Sequence, residues 1–92
     1  MHLEIVSPEA VLFSSDVNSI YVPGVNGEFE MLNNHAPIVS VLKAGTVVVK
    51  AAGAISSEDV SDKLSVNGNA YSLEITSGTL ELKENKAIIL VD

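Results

Sequence analysis

A chain of 92 residues carrying 12 acidic against 5 basic side chains has a net charge of −7, which repels nucleic acid and anionic lipid and favours a protein partner. It contains no cysteine and two histidines, so neither a disulfide framework nor an ordinary structural zinc site holds it together, and its 47% apolar content must. That length fits a single domain over residues 1–92 that buries about 60–65% of the surface its unfolded chain exposes, and no apolar run approaches the roughly 20 residues that cross a bilayer.

In chain order, apolar residues recur almost everywhere with period two. Leu3 and Ile5 share one face of a first strand, which stops at Pro8-Glu9 because proline has no N–H for the ladder. Ala10 to Phe13 form a short apolar run, Ser14-Ser15-Asp16 read as a turn, and Val17 to Val22 as the next strand, with Ile20 and Val22 on one side and Tyr21 on the other. Pro23-Gly24 has turn composition, and Asn26-Gly27 has that of a hairpin turn leading into a strand over Glu28 to Leu32. Asn33-Asn34 tolerate left-handed backbone, and Pro37 holds Ala36 away from helix. Strands over Ile38 to Leu42 and Thr46 to Ala51 flank a turn at Lys43-Ala44-Gly45.

From Ala52 to Asp62 the composition shifts to Ala, Gly, Ser and acid, which predicts a surface loop or insertion within 51–69 holding at most one helical turn capped by Ser57. Lys63 to Val66 and Asn69 to Thr76 flank Asn67-Gly68, the clearest hairpin signal in the chain. A last hairpin joins Thr79 to Lys83 and Ala87 to Val91 over Glu84-Asn85-Lys86. Roughly ten short strands, frequent turns and no long helix define an all-β class, an antiparallel β-sandwich or flattened barrel.

The stretch Val22-Pro23-Gly24-Val25-Asn26-Gly27-Glu28-Phe29-Glu30, followed at once by Asn34-His35-Ala36-Pro37, joins a Gly-rich turn to a polar loop and reads as a docking surface. It gathers no nucleophile, base and oxyanion donor and no phosphate-cradling glycine pattern, which favours binding over catalysis. Each residue also has a plainer role: Glu28 as a solvated hairpin carboxylate, His35 as a turn histidine bonded to backbone, Phe29 as core. Glu58, Asp59 and Asp62 lack the regular spacing and distant bidentate glutamate of a calcium loop and read as a solvated face.

Leu3-Glu4-Ile5-Val6-Ser7-Pro8-Glu9, Phe13-Ser14, the Val22–Phe29 run, His35-Ala36-Pro37, Lys43-Ala44-Gly45, Ser77-Gly78-Thr79-Leu80-Glu81-Leu82 and the terminal Ile89-Leu90-Val91-Asp92 occur here in one order. In that order they resemble the N-terminal β-sandwich domain of the F-type ATP synthase epsilon subunit, over residues 1–50 and 77–92. The pairing of Pro-Gly-x-x-Gly-Glu-Phe with His-Ala-Pro at close spacing is the most specific part. The resemblance implies a non-catalytic rotor central-stalk subunit that docks on the gamma subunit and rests on the c-ring, coupling ion-driven rotation to ATP synthesis. Carried onto this sequence, it implies a c-ring contact at Gly27, Glu28 and Phe29 and a gamma contact at Ser7, His35 and Ser40. It implies no cofactor, and a peripheral place on the cytoplasmic face of the bacterial inner membrane with membrane contact only through the c-ring. Met1-His2-Leu3-Glu4 shows neither signal nor transit character, so the chain is expected to stay where it is made.

Three departures from that family matter. The family's usual form continues into two C-terminal helices that brake hydrolysis and in some members bind ATP, whereas this sequence ends at Asp92, so no ATP binding is expected here. Glu30 stands where the family has glycine, and Asn33-Asn34 where it has Pro-Gly. The stretch from Ala51 to Asn69 is longer than the usual connection. Two other readings compete with the resemblance. Lys86 near a hairpin is similar to the Asp-Lys-Ala turn of lipoyl carrier domains, but those place the lysine mid-chain. A generic β-sandwich binding module, hydrolase or lectin is the other; with no tryptophan and no carboxylates placed as a catalytic pair, sugar chemistry ranks low.

Overall fold

Nine strands and one 3₁₀ turn make up the regular structure of residues 1–92 in the computed structural model. The strands are β1 (His2–Val6), β2 (Val11–Gly24), β3 (Gly27–Leu32), β4 (Ile38–Leu42), β5 (Gly45–Ala51), β6 (Ser65–Asn67), β7 (Ala70–Ile75), β8 (Gly78–Lys83) and β9 (Lys86–Val91). One set runs β1-β9-β8-β4, the other β2-β5-β7-β6 with β3 on β2. β2 joins the sets, because its first half pairs β1, its second half pairs β3 and β5, and Gly24 meets Leu42 of β4. Pairing therefore closes through β2, β1, β9, β8 and β4 around a core of Phe13, Leu3, Ile5, Ile20, Met31 and Leu80, all fully buried. The architecture is the all-β sandwich expected, with nine strands in place of ten.

The missing strand boundary is at Ser14-Ser15-Asp16, where a turn was expected. These residues lie inside the 14-residue β2, because β1 pairs them one by one as Glu4–Ser14, Leu3–Ser15 and His2–Asp16. A partner distant in sequence overrides their local turn preference. Two bulges let so long a strand serve both sets: β1 skips Leu12 between Ile5–Phe13 and Val6–Val11, and β5 skips Asn18 between Ala51–Val17 and Lys50–Ser19. Each extra residue resets the alternation. Phe13 and Val17 point inward before the second bulge, and Ile20 and Val22 after it. The ladder is also not wholly antiparallel, since β1 and β9 pair in parallel from His2–Lys86 to Val6–Leu90. No tight turn joins those strands, so no turn fixes their relative direction.

Turn positions shift by a residue or two from their sequence signals. Pro23 and Gly24 end β2 and are buried, and the two-residue turn is Val25-Asn26, closed by the Gly24–Gly27 pair. Gly24 is fixed by close approach, as a Cβ there would stand 2.7 Å from the Gly27 carbonyl oxygen and 2.9 Å from the Phe29 ring. The β6–β7 turn is Gly68-Asn69, with positive φ at Gly68 alone, which suits a type II′ turn. The β8–β9 turn is Glu84-Asn85, with φ of 52° and 60°, as a type I′ turn requires. Glutamate is a poor occupant of left-handed backbone. Glu84→Asn is therefore expected to stabilise the fold by about 0.5–1 kcal/mol, read as a rise of a few degrees in the calorimetric midpoint.

Residues 52–64 do more than loop across the surface. The 3₁₀ turn spans Ser57–Asp59, and its cap is Ser56 rather than Ser57, the Ser56 hydroxyl accepting from the Glu58 N–H. The Ser61 N–H then donates to the Leu12 carbonyl at 2.7 Å, and Val60 bridges Phe13. Ile55 and Val60 pack against the core and Leu64 is buried, so this segment covers the Phe13 end of β2.

Candidate docking surfaces

The outer side of the β1-β9-β8-β4 set exposes large aliphatic side chains beside Glu4, Thr79 and Glu81, where a fully solvated face would be polar throughout. Two cross-strand rows define it, Val39–Glu81–Ile88–Glu4 and Val41–Thr79–Leu90–Val6. Val39 is 76% exposed, Val41 56%, Leu90 52% and Ile88 42%. Four large aliphatic side chains, two on β4 and two on β9 on either side of β8, form an exposed apolar patch of the kind found at interaction surfaces. This face is absent from the sequence-based expectations, although the signal is present: Ile38-Val39-Ser40-Val41-Leu42 and Ala87-Ile88-Ile89-Leu90-Val91 are apolar on both faces, and only one face is needed for the core.

The other set presents a polar outer side. Tyr21 pairs with Glu30, and Glu28 sits diagonally across on the same face of the β2–β3 hairpin. A hydrogen bond to Glu28, then burial, then the negative charges of Glu28 and Glu30 raise the Tyr21 phenol above its ordinary pKa. A phenol raised in the folded state favours folding below its unfolded pKa near 10, and that contribution is lost as pH climbs from there through the folded value. In a Tyr71→Phe background, absorbance titration is expected to show Tyr21 ionising above pH 10, and Glu28→Gln to bring it down.

The two halves of the expected docking surface stand apart. Gly27, Glu28 and Phe29 lie at the β2–β3 tip, with Gly27 and Glu28 exposed and Phe29 packed on the core. The tip is tied to the end of β4, since the Val25 N–H donates to the Val41 carbonyl at 3.0 Å and the Lys43 N–H to the Pro23 carbonyl at 2.9 Å. His35 lies beyond the other end of β3, about 17 Å away for a six-residue strand. Its loop is held by the Met1 amino group on Asn33, the Asn34 N–H on the Asn85 side chain, and the His35 N–H on the Leu32 carbonyl at 3.2 Å. The His35 ring reaches the Ala36 carbonyl through Nδ1 at 2.7 Å.

Ser7, His35 and Ser40 are not gathered into one cluster. Ser7 is buried just past β1, and its hydroxyl and N–H are used on Ala10, closing the Pro8-Glu9 turn. Ser40 is half-buried in β4, opposite the buried Leu80, with its side chain on the inward side between outward Val39 and Val41. β1 and β4 are the margins of the apolar face; Ser7 follows the first, the His35 loop leads into the second, and Ser40 lies within the second with its side chain on the opposite side from Val39 and Val41. Lys86 is not at a hairpin tip but pairs Lys83 at the base of the Glu84-Asn85 turn. No three His, Cys, Asp or Glu side chains converge as a metal site.

A profile of the ATP synthase delta/epsilon chain β-sandwich domain matches residues 1–92. The chain belongs to that family. It is 40% identical over 92 residues to the ATP synthase epsilon chain of Campylobacter curvus, covering 100% of this chain and 60% of that one. It is 36% identical over 90 residues to the epsilon chain of Chlorobaculum tepidum, covering 98% of this chain and 86% of that one. The chain thus spans about three-fifths of the Campylobacter relative's length. Among solved structures, a chain in the mitochondrial ATP synthase central stalk/c-ring of Tetrahymena thermophila superposes with a TM-score of 0.74 at 16% identity, over 99% of this chain and 62% of that one. The last comparison concerns the fold alone. No helix of this chain is long and apolar enough to cross a membrane.

Proposed function

We propose that this chain is a non-catalytic central-stalk subunit of an F-type ATP synthase rotor, docking on the gamma subunit and the c-ring and coupling ion-driven rotation to ATP synthesis. The outward apolar face built by Val39, Val41, Ile88 and Leu90 carries this reading, because a family member whose role is attachment needs a surface that loses water on binding. In this reading the face seats against gamma, and Ser7, His35 and Ser40 lie at its margins. The β2–β3 tip with Gly27, Glu28 and Phe29 meets the polar loops of the c-ring. Two contacts on different parts of one closed sheet suit a part that transmits torque, since a close-packed core deforms little. The assembly sits at the cytoplasmic face of the bacterial inner membrane, and the chain touches the membrane only through the c-ring.

The c-ring contact has its own test. Glu28 is exposed at the start of β3, next to the β2–β3 turn, so Glu28→Lys should leave the folding midpoint within a few degrees. Assembled with gamma and the c-ring, the variant should retain gamma and lose c-ring attachment or coupled proton pumping. Unchanged assembly and coupling would remove Glu28 from the interface.

A further inference from the structure

The sheet order ends at β6, whose outer edge has no partner strand. In a hairpin closed by the two-residue turn Gly68-Asn69, the pairs Asn67–Ala70 and Ser65–Ser72 exchange hydrogen bonds, so the N–H and C=O of Val66 point off the sheet. The Val66 side chain is 59% exposed and lies beside Tyr71, whose ring meets Phe13 edge-on at 5.6 Å. Together with Ile55, Val60 and Leu64 these two residues line an open apolar groove, with Asp62 on its rim. The adjoining 3₁₀ turn adds Glu58 and Asp59. None of the three acids has a cationic partner, as the one ion pair in the molecule joins His2 and Asp16. An exposed edge of this kind normally carries protection against pairing with itself, and here like charges supply it, because a second copy would bring the same acids together.

We propose that the β6 edge and its groove are a second protein-docking site, which takes an extended segment alternating apolar and basic residues from another protein. The segment adds a strand to β6, with main-chain bonds at Val66. Its apolar side chains enter the groove over Ile55, Leu64 and Tyr71, and its lysines or arginines reach Glu58, Asp59 and Asp62. Period two in the segment places every second side chain on the groove, which is the selectivity of strand addition. The site lies away from the apolar face and the β2–β3 tip and does not depend on either.

The test is a nuclear magnetic resonance titration of the 92-residue chain with a synthetic peptide alternating valine and lysine. Saturable shifts confined to residues 55–71, and slowed exchange of the Val66 amide proton, are expected. Reversing two rim charges, Asp59→Lys with Asp62→Lys, should weaken binding about tenfold at low salt. Val66→Pro should abolish it, because that variant removes the outward N–H without touching a β6–β7 bond, and its unchanged spectrum elsewhere would establish that it is folded. The proposal is overturned if a valine–glutamate peptide binds equally well, if the shifts fall elsewhere or do not saturate, or if sedimentation shows β6 occupied by a second copy.

Discussion

Val41→Glu with Leu90→Glu is expected to abolish binding to the gamma subunit while leaving the chain folded. These side chains neighbour each other through Thr79 in one cross-strand row, and both are more than half exposed. In the free chain two surface glutamates meet water, and each should change stability by no more than about 0.5 kcal/mol. In the complex they would be carboxylates buried against apolar side chains without partners. Burial of unpaired charge is among the costliest events at an interface, so the loss should be about a hundredfold or more in affinity. Glu30→Lys with Lys50→Glu changes two charges on the other strand set and should bind as the unaltered chain does. Titration calorimetry with both variants checks the face; equal affinity for all three proteins would place the gamma contact elsewhere.

The second large effect is on stability, at Phe13. It is fully buried, its ring packs edge-on against Tyr71, and its backbone bridges Val60 in the segment that crosses that end of the sandwich. Phe13→Ala should cost about 3–5 kcal/mol through lost burial and an unfilled cavity. Against a total of about 5–15 kcal/mol that is a large share, and it corresponds to a fall of at least about 12 °C in the midpoint for a chain of this size. Hydrogen exchange at Ser61, whose N–H is bonded to Leu12, should quicken along with it. A fall of only a few degrees would mean that residues 52–64 and the Phe13 end of β2 are held by something other than this ring.

Much of this architecture is legible in local sequence. Period two in Val47 to Ala51, Leu73 to Ile75 and Leu80 to Leu82 places those strands, since the residues facing the core are the ones that alternate. What is not legible comes from partners far away in the chain. Ser14-Ser15-Asp16 have turn chemistry, and only pairing to His2, Leu3 and Glu4 keeps them extended. The bulges at Leu12 and Asn18 defeat a fixed alternation, because each moves the inward set by one residue. The same holds for parallel β1–β9, which no local turn dictates.

The candidate site divides in the same manner. The sequence singles out the β2–β3 tip and the His35 loop through their turn residues, which local chemistry can reveal. That they sit at opposite ends of β3 follows from the strand between them. The apolar face rests on residues whose types attract no notice singly, valine, isoleucine and leucine; it emerges only when β4, β8 and β9 are laid side by side. Ser7 and Ser40 illustrate the converse, because hydroxyl groups that look available in the sequence are buried or turned inward.

The most direct measurement of the central proposal is methyl cross-saturation from protonated gamma subunit to a deuterated, methyl-labelled sample of this chain. Attachment through the outer face of β4 and β9 requires transfer to the methyl groups of Val39, Val41, Ile88 and Leu90, with Val47, Val49 and Leu73 silent. Transfer centred on Val48 and the Tyr21 side of the sandwich, or none to the four outward residues in a saturated complex, would contradict it.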